Sequence, residues 1–251
     1  MPGYLTKQES IAIAGADDLI IRSLLDRQQF FDPSGDAETL GISSAMWPLF
    51  GLLWPSGAQL AARMVARPMH AGERILELGC GLALASLVCH RRGADVTASD
   101  CHPLAGSFLR ENLLLNGMAP MKYRQGQWGS GEALGPPEAL ESPLAQAHGG
   151  PVHGLFDLIM GSDLLYERDA RASLAQFIDR HASPHAQIWI VDPDRGNRAA
   201  FSKQMAAQGF GLHEERLDRA ALLDVPAYKG RLLIYQRPQS AEAAGAPPAQ
   251  A

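Results

Sequence analysis

Glu77, Gly79, Gly81 and Asp100 are spaced so that together they could hold a nucleoside. Glycines two apart let a backbone bend sharply and approach a ligand closely, and a helix starting behind them presents free N–H groups. Asp100 stands 21 residues after Gly79, where a carboxylate at a strand end can accept hydrogen bonds from both hydroxyls of a ribose. A ligand carrying adenosine is expected. The dinucleotide fingerprint would need glycine at position 84, which is Leu84, so hydride transfer is disfavoured. Glu77 agrees: a carboxylate there repels a pyrophosphate but suits a ligand with a zwitterionic amino-acid end and a positive sulfonium. A second constellation, Asp163-Leu164-Leu165-Tyr166, pairs a carboxylate with an aromatic ring just after a buried-strand pattern.

These groups need a scaffold, and the apolar periodicity supplies one. The spacing predicts a strand over 74–78, the turn Gly79-Cys80-Gly81, a helix with Leu84, Leu87 and Val88 inside, and a strand ending on Asp100. Upstream, each proline of Trp47-Pro48 and Trp54-Pro55 restrains its tryptophan to extended geometry, and Pro55 can open a helix over 56–67 with Leu60 and Met64 inward. As core anchors or ligand walls, the two tryptophans are evenly balanced. Downstream come a helix with Phe108, Leu109 and Leu113 on one side, braced by Asn112 and Asn116, and a third strand over 122–127. A fourth strand over 156–160 leads into Gly161-Ser162-Asp163, where ligands of doubly wound sheets sit. A fifth over 187–192 ends in a charged run that is a candidate for the substrate mouth, although Asp194 and Arg195 are rather expected to form a local ion pair or cap the helix over 198–208. Strands over 210–216 and 231–236 complete the sheet.

The E-x-G-x-G turn resembles motif I of the class I, seven-strand methyltransferases, in which this acid lies near the methionine moiety of S-adenosylmethionine; Ala83 stands where a third glycine is usual. The GLLWPSGAQLA stretch before it is similar to family 16 of that class, which includes many protein lysine methyltransferases, and Asp163-x-x-Tyr166 resembles that family's post-II motif. The resemblance covers roughly residues 41–236. It implies an α/β, three-layer doubly wound Rossmann-like sheet of order 3-2-1-4-5-7-6 with strand 7 antiparallel. It also implies S-adenosylmethionine as cofactor, leaving S-adenosylhomocysteine, held by Trp54, Glu77, Gly79, Cys80, Gly81, Asp100, Cys101, Gln127, Trp128, Ser162 and Asp163. Methyl transfer is an in-line displacement that needs alignment and a free lone pair. Presenting a lysine amine neutral at pH 7 costs roughly 4 to 5 kcal/mol, less when desolvated. Asp163 is assigned to orient the amine, with the capacity to take its proton, and Tyr166 to wall the site and meet the cationic nitrogen with its ring. The expected acceptor is a protein lysine. The alternatives are a small-molecule amine or aromatic nitrogen and a cofactor-binding scaffold without turnover.

Composition sets the outer bounds. Lys plus Arg is 22 against 27 for Asp plus Glu, a net charge of −5, so nucleic acid is not expected as a partner. Cys80, Cys89 and Cys101 lack metal-site spacing and a disulfide pattern, the histidines form no metal constellation, and His102 reads as a solvated or packed helix-start residue rather than a ribose contact. With neither a leader pattern nor an apolar run of membrane length, a cytoplasmic monomer is expected. The division is a 1–40 extension packed on the sheet or over the ligand mouth, a 41–237 catalytic domain and a disordered 238–251 tail, with an excursion over 129–155 that orders only with a partner.

Overall fold

The computed structural model describes residues 3–126, 128, 150–221 and 226–238. Two strands, β1 (Thr6–Ile11) and β2 (Leu19–Leu24), form an antiparallel hairpin ahead of the main sheet. A short helix α1 (Asp36–Thr39) and a 3₁₀ turn (Trp47–Gly51) lead to α2 (Pro55–Ala66), which Pro55 opens behind an extended Trp54. Then follow β3 (Arg74–Leu78), α3 (Leu84–Arg91), β4 (Asp95–Asp100), α4 (Ala105–Leu115) and β5 (Lys122–Gln125). The second half carries β6 (Phe156–Ser162), a 3₁₀ turn (Leu164–Tyr166), α5 (Ser173–His181), β7 (Ala182–Asp192), α6 (Arg198–Ala207), β8 (Gly211–Arg216) and β9 (Arg231–Gln236).

The sheet runs β5-β4-β3-β6-β7-β9-β8. Pairing is parallel from β5 to β7, while β9 is antiparallel to both its neighbours. Renumbered within the sheet this is 3-2-1-4-5-7-6 with strand 7 reversed, as the resemblance implied. Side chains alternate between two cores. Ile75, Leu158, Met160 and Leu232 face α2, α3 and α4, whereas Leu76, Ile159, Ile188, Leu233 and Tyr235 face α5 and α6. Strand order reverses at β3, which has β4 on one side and β6 on the other, and the carboxyl ends of β3 and β6 open the crevice there. No helix among the described residues is long and apolar enough to cross a membrane.

The hairpin corrects two expectations. The N-terminal segment, read only as amphipathic patches, folds as strands because Leu19, Ile21 and Leu24 go into the core against α4. Asn112 and Asn116 brace this hairpin rather than their own helix alone. Asn112 accepts from the Arg22 N–H at 2.8 Å and donates to the Arg22 carbonyl at 3.3 Å; Asn116 does the same for Ile20 at 2.9 and 2.8 Å. Two amides four residues apart on a helix thus stand in for a neighbouring strand. The fourth and fifth strands also run longer than their apolar cores, to Ser162 and back to Ala182. Of the expected excursion over 129–155, residues 129–149 lie outside the described ones, as does the tail beyond Pro238.

Candidate active site

A cavity of about 460 Å³ opens at the carboxyl ends of β3, β4 and β6. The backbone that shapes it is held in the left-handed region at Gly79 (φ 53°), Gly81 (φ 51°) and Ala83 (φ 59°). A Cβ on Gly81 would come within 2.8 Å of the Phe50 carbonyl oxygen, and one on Gly79 within 2.5 Å of the Leu164 side chain and 3.4 Å of the Trp128 ring. Gly81 is therefore required by space as well as favoured by φ, whereas at Gly79 the obstacle is the end of a side chain. Ala83, in the place of a third glycine, takes the same conformation at a cost of about 1 to 2 kcal/mol and is fully buried at the start of α3.

The acids are arranged around this turn. Asp100 accepts from the Gly81 N–H and the His102 N–H, both at 2.8 Å, which fixes the carboxylate while leaving further lone pairs toward the cavity. Glu77 accepts from the Ser86 N–H at 2.8 Å, tying the strand end to the first turn of α3. Burial pushes the Glu77 carboxyl up to about 7, opposed by its contacts with Ser86, and raises Asp100 as well. Cys80 and Cys101 line the cavity with thiols raised by burial, so they are neutral walls there.

Aromatic residues close the sides. Trp54 lines the cavity and donates its indole N–H to the Leu49 carbonyl at 2.9 Å, whereas Trp47 is a core residue packed edge-on against Phe50 and His102. The two tryptophans thus divide the roles that the sequence left balanced between them. Trp128 lines the opposite side, set against Phe177. Gln127, assigned beside it, lies outside the described residues. His102 is packed as expected, its ring stacked 3.7 Å from Phe50, and it also lines the cavity. Its Nδ1 accepts from the Leu104 N–H at 3.1 Å and burial pushes its pKa down to about 3, so the ring is neutral with the proton on Nε2.

At the far end Ser162, Asp163 and Tyr166 line the cavity, the last half exposed at the mouth. Asp163 takes a left-handed turn (φ 56°) as β6 ends and donates its N–H to the Val191 carbonyl at 3.0 Å. Its side chain is 9% exposed. One carboxylate oxygen, Oδ1, meets the Arg195 guanidinium at 2.9 Å; Oδ2 is buried without a hydrogen-bond partner among the described residues. Arg195 also lies over the Trp54 ring at 6.0 Å. The expectation that Asp194 and Arg195 pair with each other is overturned. Asp194 pairs with Arg231 at 2.7 Å, and Arg195, whose N–H is held by Asp192 at 2.8 Å, reaches across to Asp163. Nothing in the local sequence places Arg195 against a residue 32 positions earlier; only the adjacency of β6 and β7 does so.

The seven-strand order with its reversed ninth strand, and this crevice at the point of reversal, decide the fold. The chain has the class I methyltransferase fold. A solved structure with a similar fold is magnesium protoporphyrin IX methyltransferase from Synechocystis with bound S-adenosylmethionine, at a TM-score of 0.50, 16% identity and coverage of 73% of this chain and 78% of that one. No family model matches the sequence. The chain is also similar to the electron transfer flavoprotein beta subunit lysine methyltransferases of Danio rerio (27% identical over 151 residues) and Xenopus laevis (29% over 158). These matches cover 59% and 62% of this chain, and it spans about half the length of these curated relatives, 51% and 55%. The cavity fits the cofactor of such a fold: glycines where a Cβ would fill the cradle, Asp100 anchored beside it, and acids rather than cations next to the turn.

Proposed function

We propose that this protein transfers the methyl group of S-adenosylmethionine to the side-chain amine of a lysine in a protein substrate. Asp100 and the Gly79–Gly81 backbone would hold the nucleoside, Glu77 the amino-acid end, and Trp54 and Trp128 the flanks. The bound cofactor supplies an electrophilic methyl on a sulfonium. The chain's own contribution is to align the acceptor, keep out water and manage one proton.

The observation that carries the reading is the unpartnered Oδ2 of Asp163. A buried carboxylate oxygen with one neighbour fixed by Arg195 asks for an N–H donor, and an amine or ammonium provides one. An aromatic ring nitrogen offers only a lone pair and would face that oxygen unfavourably, which favours an amine acceptor over a heterocycle. Asp163 then orients the amine with its lone pair along the transfer direction and can hold the proton the amine sheds. Tyr166, exposed at the mouth, presents a ring to the cationic nitrogen. Several curated relatives, including the flavoprotein enzymes above and the METTL21A protein N-lysine methyltransferase of Danio rerio, carry lysine in their names, which favours a protein acceptor.

The test is to incubate the protein with methyl-labelled S-adenosylmethionine and an extract of host cells lacking it, hydrolyse the labelled protein fraction and resolve the amino acids. Label eluting with methylated lysines is the expected result. Label confined to the small-molecule fraction, or to another amino acid, contradicts the acceptor.

A further inference from the structure

Beside the cavity mouth the N-terminal hairpin leaves an open apolar surface. The Leu25 N–H bonds the Leu5 carbonyl at 3.0 Å, which makes these residues neighbours, and they are 44% and 65% exposed. Next to them lies a groove of about 310 Å³ whose walls include Ser23, Leu25 and Leu53. Arg27, Leu52 and Trp54 line both this groove and the main cavity, so the two share a wall at the end where Arg195 stands over Trp54.

Two polar groups show that the groove is more than bare hydrocarbon. Ser23 is 1% exposed and its hydroxyl has no hydrogen-bond partner among the described residues, an arrangement that a ligand's polar group would relieve. Arg27 is exposed and makes no ion pair among the described residues, unlike Lys7 on the same groove, whose ammonium meets Glu9 at 2.8 Å.

We infer that this groove docks the stretch of the acceptor protein next to the methylated lysine. The segment that fits is extended, with an apolar side chain against Leu25 and Leu53, a polar backbone group at Ser23 and a carboxylate facing Arg27. The inference rests on the reading of the protein as a protein methyltransferase and gives the hairpin the task of selecting the substrate.

The test uses Leu25→Asp and, as a second variant at the most exposed position of the patch, Leu5→Asp; neither residue lines the cofactor cavity. Initial rates of label transfer are measured against increasing concentrations of the same host protein extract, with S-adenosylhomocysteine affinity measured by calorimetry. The expected result is a half-saturating concentration about tenfold higher for both variants, with maximal rate and product affinity within about twofold of wild type. Wild-type saturation in either variant that retains product affinity overturns the inference. So does a wild-type dimer that both substitutions split in sedimentation, since the patch would then be a self-contact. If the wild type labels no protein, the methyltransferase reading fails first and the groove falls with it, before any variant is compared.

Discussion

Arg195 and Asp163 meet at 2.9 Å across the carboxyl ends of β7 and β6, and their ion pair occupies one carboxylate oxygen while the other stays buried without a hydrogen-bond partner among the described residues. The loop that delivers Arg195 is fixed at two points, by the Asp192 carboxylate on the Arg195 N–H and by the Asp194 pairing with Arg231 on β9. Asp163 is therefore held in one orientation from the backbone outward.

Removing that hold leaves the cofactor site intact but loosens the acceptor. Arg195→Met is expected to lower the rate of methyl transfer by roughly tenfold or more, with S-adenosylhomocysteine affinity changed only a few fold, and Arg195→Lys to restore part of the loss. The pH profile gives an independent check. The groups around Asp163 are Arg195, Asp192, the Ser56 hydroxyl and the Tyr228 phenol, and burial raises the Asp163 carboxyl despite Ser56 and Arg195. Transfer should fall as pH drops through that raised value, and Arg195→Met should move the fall to higher pH. Unchanged rate and profile in Arg195→Met would show that the pair does not position Asp163.

Glu77 makes a prediction about stability. Its folded carboxyl, pushed up to about 7 by burial, keeps a proton that the unfolded chain has already released. Stability of the ligand-free protein therefore falls as pH rises from the ordinary carboxyl range to about 7, by an amount on the order of 3 kcal/mol from this one group. Glu77→Gln keeps the acceptor for the Ser86 N–H and removes the titration. Urea unfolding should show the variant gaining on wild type by roughly 2.5 kcal/mol between pH 5 and pH 8; an equal difference at both pH values would refute the assignment.

Gly79 and Gly81 separate two kinds of crowding. Gly81→Ala drives a Cβ against a backbone carbonyl, which cannot move aside, and should cost about 2 to 4 kcal/mol of stability together with cofactor affinity. In Gly79→Ala the obstacle is the end of the Leu164 side chain, so the destabilisation should be smaller while the cavity still narrows. Chemical denaturation of both variants decides it, and a larger loss at Gly79 would contradict the account.

What was legible beforehand follows from range of interaction. The turn at Gly79–Gly81, Asp100 at its strand end, Pro55 at the head of α2 and the strand of residues 231–236 are set by local pattern, and the structure has each in place. The residues named for the site, Gln127 excepted, all line one cavity, because strand ends converge wherever a doubly wound sheet reverses. Three features stayed hidden for one physical reason. The Arg195–Asp163 pair, the role of the asparagines on β2 and the groove beside Leu25 are contacts between segments far apart in sequence, and no local period encodes them.

Asn112 tests the hairpin brace. It is fully buried, and Asn112→Ala leaves the Arg22 N–H and carbonyl without partners, a loss of about 2 to 3 kcal/mol. Hydrogen exchange at the Ile20 and Arg22 amides should accelerate while the β3 amides exchange at a rate set only by global stability. Unaltered protection at Arg22 would mean that the asparagine does not hold the strand.

The most direct test of the central claim is a single-turnover comparison of wild type and Asp163→Ala, with S-adenosylmethionine affinity measured on the same samples. Cofactor affinity within a few fold of wild type, with transfer to protein lysine reduced about a hundredfold or more, is the predicted result. Transfer at the wild-type rate in the variant would contradict the assignment of Asp163 as the residue that presents the amine.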